Sequence, residues 1–512
     1  MEAPRHSVDS SRGASLLRWN RPSAETLAAI AFVALWAASL VPFLSVGAEN
    51  ARLVAAYNTD EAMLLNLVAR LLREHSFRLV FGAYGHLYFN VALSILRWFG
   101  PVSDPRIVET LRGISVACSA ALLLFTFAWA RRLYGSTTAW IALALVAINP
   151  TVYTWAAIVH PDLLQALLLM MSLFYTAKSF DHPTTANILL ASAAAGLAFA
   201  TKYSGVFVLP LIAIAALGRS STGRGRGAEV RLILARSVLA ATAVALIVGG
   251  YAIDANWIVT HLTADGHIDV PLYVPLETVI ASIRACGIVF AVAVILPWPW
   301  RLLRNSHGVA TVTWAFAVSS LTFLIVFAAT SPYSLLKLAF VKGLYFEATE
   351  TGAMWGVQWV EEWIRGTVGA VGWPIVVSSV CMAAWLLWRR RLHPLSSAEI
   401  VFLSWIGLYL VVLVAPFHEL LFHYTLPLIA PAAILGARGI AAACEGLKRQ
   451  ANLQPQVPSR AIAFAVAILC LIPTATTLLA ERRDSLQRAG SANAVVGDWL
   501  SERLPASTSI AY

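Results

Sequence analysis

Leu27-Ala28-Ala29-Ile30-Ala31-Phe32-Val33-Ala34-Leu35-Trp36-Ala37-Ala38-Ser39-Leu40-Val41-Pro42-Phe43-Leu44-Ser45-Val46 is an uncharged apolar run, and Tyr57-Asn58-Thr59-Asp60-Glu61 follows soon after it. About 20 consecutive apolar residues span a bilayer as a helix, so the run reads as a first membrane helix. Arg5, Arg12, Arg18 and Arg21 precede it. Val46-Gly47-Ala48 resembles a cleavage site. The run is nevertheless too long for the core of a signal peptide, so it reads as uncleaved, with its N-terminus in the cytoplasm. Asp60 and Glu61 then stand just beyond its outer end. Neighbouring residues on a helix point about 100° apart, so the two carboxylates cannot face one partner. Asp60 is read as the residue that does chemistry. Glu61 is read as supporting the local fold or orienting a partner. The plainer reading makes both of them solvated first-turn acids, favoured there by the helix dipole.

Composition supports this frame. Hydrophobic residues make up 59% of the 512 and charged residues 12%, with a mean hydropathy of +0.72. A soluble domain carries about 25% charge, so the chain reads as an all-α, polytopic transmembrane bundle. The net charge of +10 implies no nucleic acid, because basic residues in such a chain set its orientation in the lipid bilayer. The five cysteines, Cys118, Cys286, Cys381, Cys444 and Cys470, form no C-x-x-C pair and read as small packing residues.

Thirteen runs are long and apolar enough to count as spans, several of them short. They are Thr26–Val46, Gly113–Ala130, Thr137–Val159, Leu163–Ala177, Ala186–Ala200, Tyr203–Leu217, Leu232–Ala252, Thr278–Trp298, Val309–Ala329, Val368–Leu387, Ile400–Ala415, Tyr424–Ala437 and Ala461–Leu479. His86–Trp98 holds His86, Asn90 and Arg97 and reads as an interfacial helix. With the N-terminus inside, the cytoplasmic segments hold more than half of the 37 Lys and Arg but only about a quarter of the 27 acids. That asymmetry has the sense of the positive-inside rule. Basic loops such as Gly223-Arg224-Gly225-Arg226-Gly227 and Trp388-Arg389-Arg390-Arg391 need no substrate to explain them. The long segments Ala48–Arg112, Asp254–Glu277, Ser331–Thr367 and Glu481–Tyr512 fall on the outer face, where loops on a rigid scaffold carry function. Residues 1–480 are read as one transmembrane domain. Residues 481–512 are read as an outer tail that is either frayed or the start of a soluble domain.

Six segments carry a resemblance to a known group. They are Asp60-Glu61 after the first helix, Tyr84-Gly85-His86-Leu87-Tyr88-Phe89, Asn149-Pro150 through His160-Pro161-Asp162-Leu163, Gly196-Leu197-Ala198-Phe199-Ala200-Thr201-Lys202-Tyr203-Ser204-Gly205, Ser331-Pro332-Tyr333-Ser334-Leu335-Leu336, and His423-Tyr424-Thr425-Leu426-Pro427-Leu428. In order and placement the chain resembles membrane glycosyltransferases of the GT-C fold, in the branch of protein O-mannosyltransferases and lipid A aminoarabinose transferases. Relatives often have Pro-Pro where this chain has Tyr84-Gly85, so no donor or acceptor preference is carried over. The resemblance implies an inverting transferase of the plasma membrane, the bacterial inner membrane. It would take a sugar from a polyprenyl-phosphate donor on the outer face and pass it to a glycan, lipid or protein acceptor. It also implies Asp60 as general base and Asp162 as the second acid of the site.

The residues themselves leave alternatives. Asp162 follows Pro161 at the outer end of a helix, where an acid faces a cavity or caps the helix. Lys202 lies where two apolar runs meet, suited either to a carrier phosphate or to snorkelling. Arg284 is the second candidate cation, with a salt bridge to a bundle acid as its other reading; Lys337 and Lys342 are weaker. Tyr84, His86, Tyr88, Tyr203 and Tyr333 are read as lining the substrate path, with interfacial anchoring as the other reading of Tyr84 and His86. His418, Glu419 and His423 gather three metal-ligand types without the H-E-x-x-H spacing, so a divalent metal is allowed for but no cofactor is required. Trp355, Trp359 and Trp363 recur at helical spacing, more as a packed face than as a sugar platform. Two readings of another class stand beside the enzyme, a lipid-carrier flippase and a non-catalytic assembly partner. A flippase would carry ionisable residues near the midplane and repeated halves, whereas the acids here gather at one face.

The charge asymmetry yields a first prediction. Single cysteines placed in residues 219–231 should resist a membrane-impermeant thiol reagent in intact cells, and cysteines in residues 331–367 should react. The reverse pattern would overturn the assigned orientation.

Overall fold

The computed structural model describes residues 23–48, 58–77, 84–100, 102–216, 307–336, 357–389, 394–414 and 422–450, with residues 54 and 288 besides. Among these residues all the regular secondary structure is helical, with no strand. Five helices are long and apolar enough to cross a membrane, or up to seven if each of two bent pairs is one span. The chain is a multi-pass helical membrane protein. Three of the thirteen expected spans, Leu232–Ala252, Thr278–Trp298 and Ala461–Leu479, lie outside the described residues, as does the 481–512 tail.

Helix α1 (Ala24–Leu44) starts at Ser23, whose hydroxyl accepts from the Thr26 N–H. Its 21 residues extend about 32 Å, close to the thickness of the hydrocarbon core. One side is buried, through Ala29, Val33, Trp36, Leu40 and Phe43. The other side exposes Leu27, Leu35 and Val41, as a lipid-facing surface does. Helices α2 (Thr59–Arg73) and α3 (Leu87–Trp98) follow, then the 31-residue α4 (Asp104–Tyr134). At about 46 Å, α4 is longer than a bilayer core requires. Its first turns pack with α2 and α3 into a small second core that includes Leu64, Val68, Phe89, Leu93, Val108 and Leu111. Helix α3 covers most of the His86–Trp98 segment, with Phe89 and Leu93 inward and Trp98 88% exposed.

Helices α5 (Ser136–Ala147) and α6 (Pro150–Ala156) form a pair bent by 61°. Then come α7 (Asp162–Asp181) and α8 (Thr185–Phe199), a 3-10 turn (Tyr203–Val208) and the short α9 (Leu209–Ala215). The expected Tyr203–Leu217 run is therefore a 3-10 turn followed by a short helix, not one continuous helix. Helices α10 (His307–Thr330), α11 (Pro332–Leu336), α12 (Val357–Val371), α13 (Trp373–Arg389), α14 (Ser397–Val414) and, after a 3-10 turn at Phe422–Thr425, α15 (Leu426–Gln450) make up the rest of the described chain.

The expected Val368–Leu387 run is broken by a 102° bend between α12 and α13. Gly372 sits at the break with φ +84°, a conformation that disfavours side chains. Asn149 explains why the break is stable. Its amide donates to the Val371 carbonyl at 2.8 Å and the Ala370 carbonyl at 3.3 Å, while its oxygen accepts from the Val152 N–H. One side chain therefore caps the start of α6 and the end of α12, so neither bend leaves those backbone groups bare in an apolar setting.

Helices α1 and α4 are clamped at both ends. At one end Arg131 pairs with Glu25 at 3.1 Å, and both side chains are about one third exposed. At the other end Arg112 and Glu61 are fully buried. Arg112 Nε and Nη2 donate to the two Glu61 oxygens at 3.0 and 2.6 Å. Its Nη1 donates to the carbonyls of Phe43, Leu44 and Val46 at 3.0, 3.2 and 2.7 Å. Glu61 also accepts from the Val159 N–H at 2.6 Å. Both clamps close only if α1 and α4 run antiparallel. The residues at 61, 112 and 159 therefore share one end of the bundle, and 25 and 131 share the other.

Breaking a buried pair by removing one partner costs about 3–5 kcal/mol, whereas an exposed pair is worth about 0–1 kcal/mol. Arg112→Met should therefore lower the thermal unfolding midpoint in detergent sharply. Arg131→Met should move it little. Equal melting of the two variants would contradict this division of labour.

Candidate active site

Four elements bring side chains together at the Glu61 end of the bundle. Asp60 is in the first turn of α2, where the Asn58 side chain caps the helix by accepting the Asp60 N–H at 3.0 Å. His160 and Asp162 flank Pro161 at the start of α7. Lys202 follows α8, and His423 is in the 3-10 turn before α15. The loop bearing His160 is held through Val159 by Glu61, so the ion pair that fixes the fold also fixes this position.

Asp162 is the hub and is 1% exposed. Its Oδ1 receives the Lys202 ammonium at 2.9 Å. Its Oδ2 touches His160 Nδ1 and lies 4.0 Å from His423 Nε2. On its far side, His160 Nε2 is 2.9 Å from the Tyr84 hydroxyl and 3.8 Å from an Asp60 oxygen. Asp60 is the open member, with 38% of its side chain exposed. Two carboxylates are thus joined through one imidazole, the inner one paired with an ammonium and the outer one facing solvent.

Aromatic rings wall the cluster. The Lys202 ammonium lies 4.2 Å from the Tyr424 ring centroid and 5.6 Å from that of Tyr84. Such contacts favour a cation. Trp155 packs at 4.2 Å from the His423 ring and 4.8 Å from the His160 ring. Gln165 orients the lysine turn by donating to the Lys202 carbonyl at 3.0 Å and to Ser204 Oγ at 2.6 Å. The strip holding Tyr84 is pinned by backbone bonds, from the Gly85 N–H to Thr201 O at 3.0 Å and from the Leu87 N–H to Ala200 O at 2.8 Å. A Cβ at Gly85 would stand 2.2 Å from the Ala200 oxygen, so the two segments approach this closely only with glycine there.

Of the expected site residues, Asp60, Asp162, Lys202, Tyr84 and His423 lie in this cluster. Glu61 lies beside it, but both its oxygens are taken by Arg112, so it holds the site in place rather than facing it. Tyr88 does not line a path. It is fully buried, and its hydroxyl donates to the Leu111 carbonyl at 2.8 Å. Burial pushes that hydroxyl well above its ordinary pKa. His86 is buried before α3, and Tyr203 is buried with its hydroxyl on the Tyr84 carbonyl at 3.1 Å. Tyr333 is half-buried on α11, next to Ser334, whose oxygen is 3.4 Å from the Tyr203 hydroxyl. Arg284, Lys337, Lys342, His418, Glu419 and Trp355 lie outside the described residues.

His160, Trp155 and Arg112 are not among the expected site residues, yet all three form or support the cluster. His160 carried one signal, an ionisable side chain two residues before Asp162 across a proline. Arg112 carried another, a charge at the mouth of the Gly113–Ala130 run. Trp155 had none. Among the described residues, His160, Asp162 and His423 form the group able to hold a metal ion, with ligand atoms within 4.8 Å of one another.

A family model for dolichyl-phosphate-mannose-protein mannosyltransferases matches residues 108–248, a stretch that includes Arg112, His160, Asp162 and Lys202. No curated protein matches the chain by sequence. Among solved structures the chain is similar to ArnT from Cupriavidus metallidurans bound to undecaprenyl phosphate, with 14% identity, 90% of this chain and 74% of that one covered, and a TM-score of 0.42. It is also similar to the oligosaccharyltransferase of Archaeoglobus fulgidus in complex with Zn and sulfate, with 15% identity, 93% and 55% covered, and a TM-score of 0.46. The chain thus spans about half the length of the archaeal protein.

Asp162→Asn would leave the buried Lys202 ammonium without its carboxylate, a change of about 3–5 kcal/mol. The melting midpoint should fall in that variant and recover in Asp162→Asn/Lys202→Met, a coupling that a double-mutant cycle measures directly. Additive losses would show that the two side chains do not support one another.

Proposed function

We propose that this chain is an inverting glycosyltransferase. It moves a sugar from a polyprenyl-phosphate donor to an acceptor hydroxyl or phosphate on the outer face of the plasma membrane. The observation that carries the reading is the meeting of Asp60, Asp162 and Lys202 around His160 at one end of the bundle. Both inner members lie in the segment that matches the mannosyltransferase family model.

The chemistry follows from this order of groups. The acceptor's O–H proton passes to a carboxylate oxygen of Asp60 as the acceptor oxygen attacks the anomeric carbon. The bond from that carbon to the phosphate oxygen breaks, and the phosphate leaves with the electron pair. A lysine ammonium has three donors. Asp162 takes one from Lys202, which leaves two for the departing phosphate. Inversion needs base and leaving group on opposite sides of the anomeric carbon. Asp60 and Lys202 are at opposite ends of the His160–Asp162 link, which supports that arrangement. Asp60 is the more accessible acid, as a base that meets an incoming acceptor must be. Asp162 is fully engaged and holds Lys202 in place. Glu61 positions the turn that bears Asp60.

Location also favours an enzyme over a flippase. Asp162 opens α7 and Lys202 follows the end of α8, so both lie at helix ends and not mid-span. That placement suits a site at a membrane face.

Asp60→Asn keeps shape and hydrogen-bonding reach but removes the basic oxygen. Single-turnover sugar transfer from a defined polyprenyl-phosphate donor should fall by about 10²–10⁴-fold, with melting unchanged. Glu61→Gln should be milder in transfer per folded protein, and its melting midpoint should fall because the buried Arg112 loses its carboxylate. Near-normal transfer by a folded Asp60→Asn protein would end the assignment and move the test to Asp162.

A further inference from the structure

The end of the bundle opposite the acid cluster carries a cleft of about 510 Å³ between α1 and α4, a volume in the range of ligand pockets. The two helices run antiparallel, so the cleft has an order along its length. Thr26, Arg131 and Arg132 stand at its mouth. Deeper, its walls are apolar, with Ala29 and Ile30 from α1 and Leu124 and Ala128 from α4. Leu124 and Arg131 are seven positions apart, about 10 Å along the axis of α4. The small side chains of Ala29 and Ala128 leave the space between the helices open. Phe127, packed edge-on against Trp140 at 5.1 Å between ring centroids, adds a firm wall. The cleft opens on the surface where Leu27 and Ile30 are about half exposed, as membrane-facing side chains are.

Charge is the second observation. Arg131 is held in place, its Nη1 donating to Ser23 Oγ at 3.0 Å and Thr26 Oγ1 at 2.8 Å while its Nη2 meets Glu25 at 3.1 Å. Arg132 is exposed, with its guanidinium carbon 5.9 Å from the ring centroid of Phe174 on α7. The Lys178 ammonium lies 4.8 Å from the same centroid. Among the described residues, Glu25 is the only carboxylate paired with any of these three cations. Gathered like charges repel, so this excess of positive charge calls for an anion. Basic pockets between membrane helices take anionic lipid head groups.

We propose that this cleft binds one anionic phospholipid of the adjoining leaflet. Its phosphate pairs with Arg132 and Arg131, and the start of one acyl chain lies along Ile30, Leu124 and Ala128. Arginine suits the phosphate because its planar fork makes strong charge-assisted hydrogen bonds to it. A free phosphate would use the mouth and leave the apolar part empty. A zwitterionic lipid would fill the apolar part but bring its own ammonium against the arginines. An anionic phospholipid matches both halves. Bound there, it ties α1 to α4 at the end where the half-exposed Glu25–Arg131 pair contributes little. The site is remote from Asp60 and Asp162 and does not rest on the transferase reading. Lipid binding is measured without donor or acceptor, so the failure of either reading leaves the other standing.

The test uses the full chain in a mild detergent, mixed with equal amounts of dioleoyl-phosphatidylglycerol and dioleoyl-phosphatidylcholine, with native mass spectrometry to count the lipid retained. The tightest-held lipid should be one phosphatidylglycerol per chain, and it should raise the melting midpoint where phosphatidylcholine does not. Arg132→Gln should weaken that retention about 5-fold. Ala128→Trp, which fills the cleft without changing its charge, should remove the preferred lipid. Arg106→Gln, exposed at the other end of α4, should leave retention unchanged. Equal retention of the two lipids by the unsubstituted chain, unchanged retention in Arg132→Gln or in Ala128→Trp, or displacement of the lipid by inorganic phosphate would each overturn the proposal. If Ala128→Trp does not fold, Arg132→Gln, at an exposed position, still decides the matter.

Discussion

The buried Glu61–Arg112 pair is the constraint on which the rest of this structure depends. Taking two charges out of water costs several kcal/mol per ion, and attraction alone repays this only with excellent geometry and further hydrogen bonds. Those are present here. The guanidinium meets Glu61 with two N–H groups and the last carbonyls of α1 with a third nitrogen. A cation at a helix C-terminus is also favoured by the helix dipole. Glu61 spends its remaining capacity on the Val159 N–H. One pair thus joins the end of α1, the start of α2, the third turn of α4 and the loop that delivers His160.

That junction explains why the site is where it is. The bundle has a large core among its long helices and a small one under α2 and α3, and Val159 belongs to the small core while Trp155 packs against the large one. His160 lies between them. Asp60 comes from the small-core side, and Asp162, Lys202 and His423 from the large-core side. The ionisable groups meet at this seam, His160 touching Asp162 on one side and the Tyr84 hydroxyl on the other.

The same seam separates roles between adjacent acids. Asp60 and Glu61 are neighbours in sequence, yet one is more than a third exposed and the other fully buried. The helix turn that parts them by about 100° puts one over the opening and the other against Arg112. Tyr84 shows a comparable division. Its ring borders Lys202 and His160, while its backbone is tied to Ala200 and Thr201 through the Gly85 strip.

Much of this was legible in the residues. Apolar length and charge asymmetry determined the membrane class and helical architecture, because a bilayer admits few other solutions for such runs. The different fates of Asp60 and Glu61 followed from helical periodicity alone. The proline before Asp162 and the break around Lys202 marked helix ends where charge survives. Only the tertiary structure decided which groups meet. Nothing local distinguishes Tyr88, which fills a core, from Tyr84, which borders a cation, since both are tyrosines in one aromatic segment. Nor does any local pattern join Glu61 to Arg112, or His160 to His423. Those pairs are 51 and 263 positions apart, and partners that far apart are chosen by which helix faces pack together rather than by spacing along the chain. The 102° turn at Gly372 was hidden for the same reason, because the Asn149 side chain that caps it comes from a distant loop.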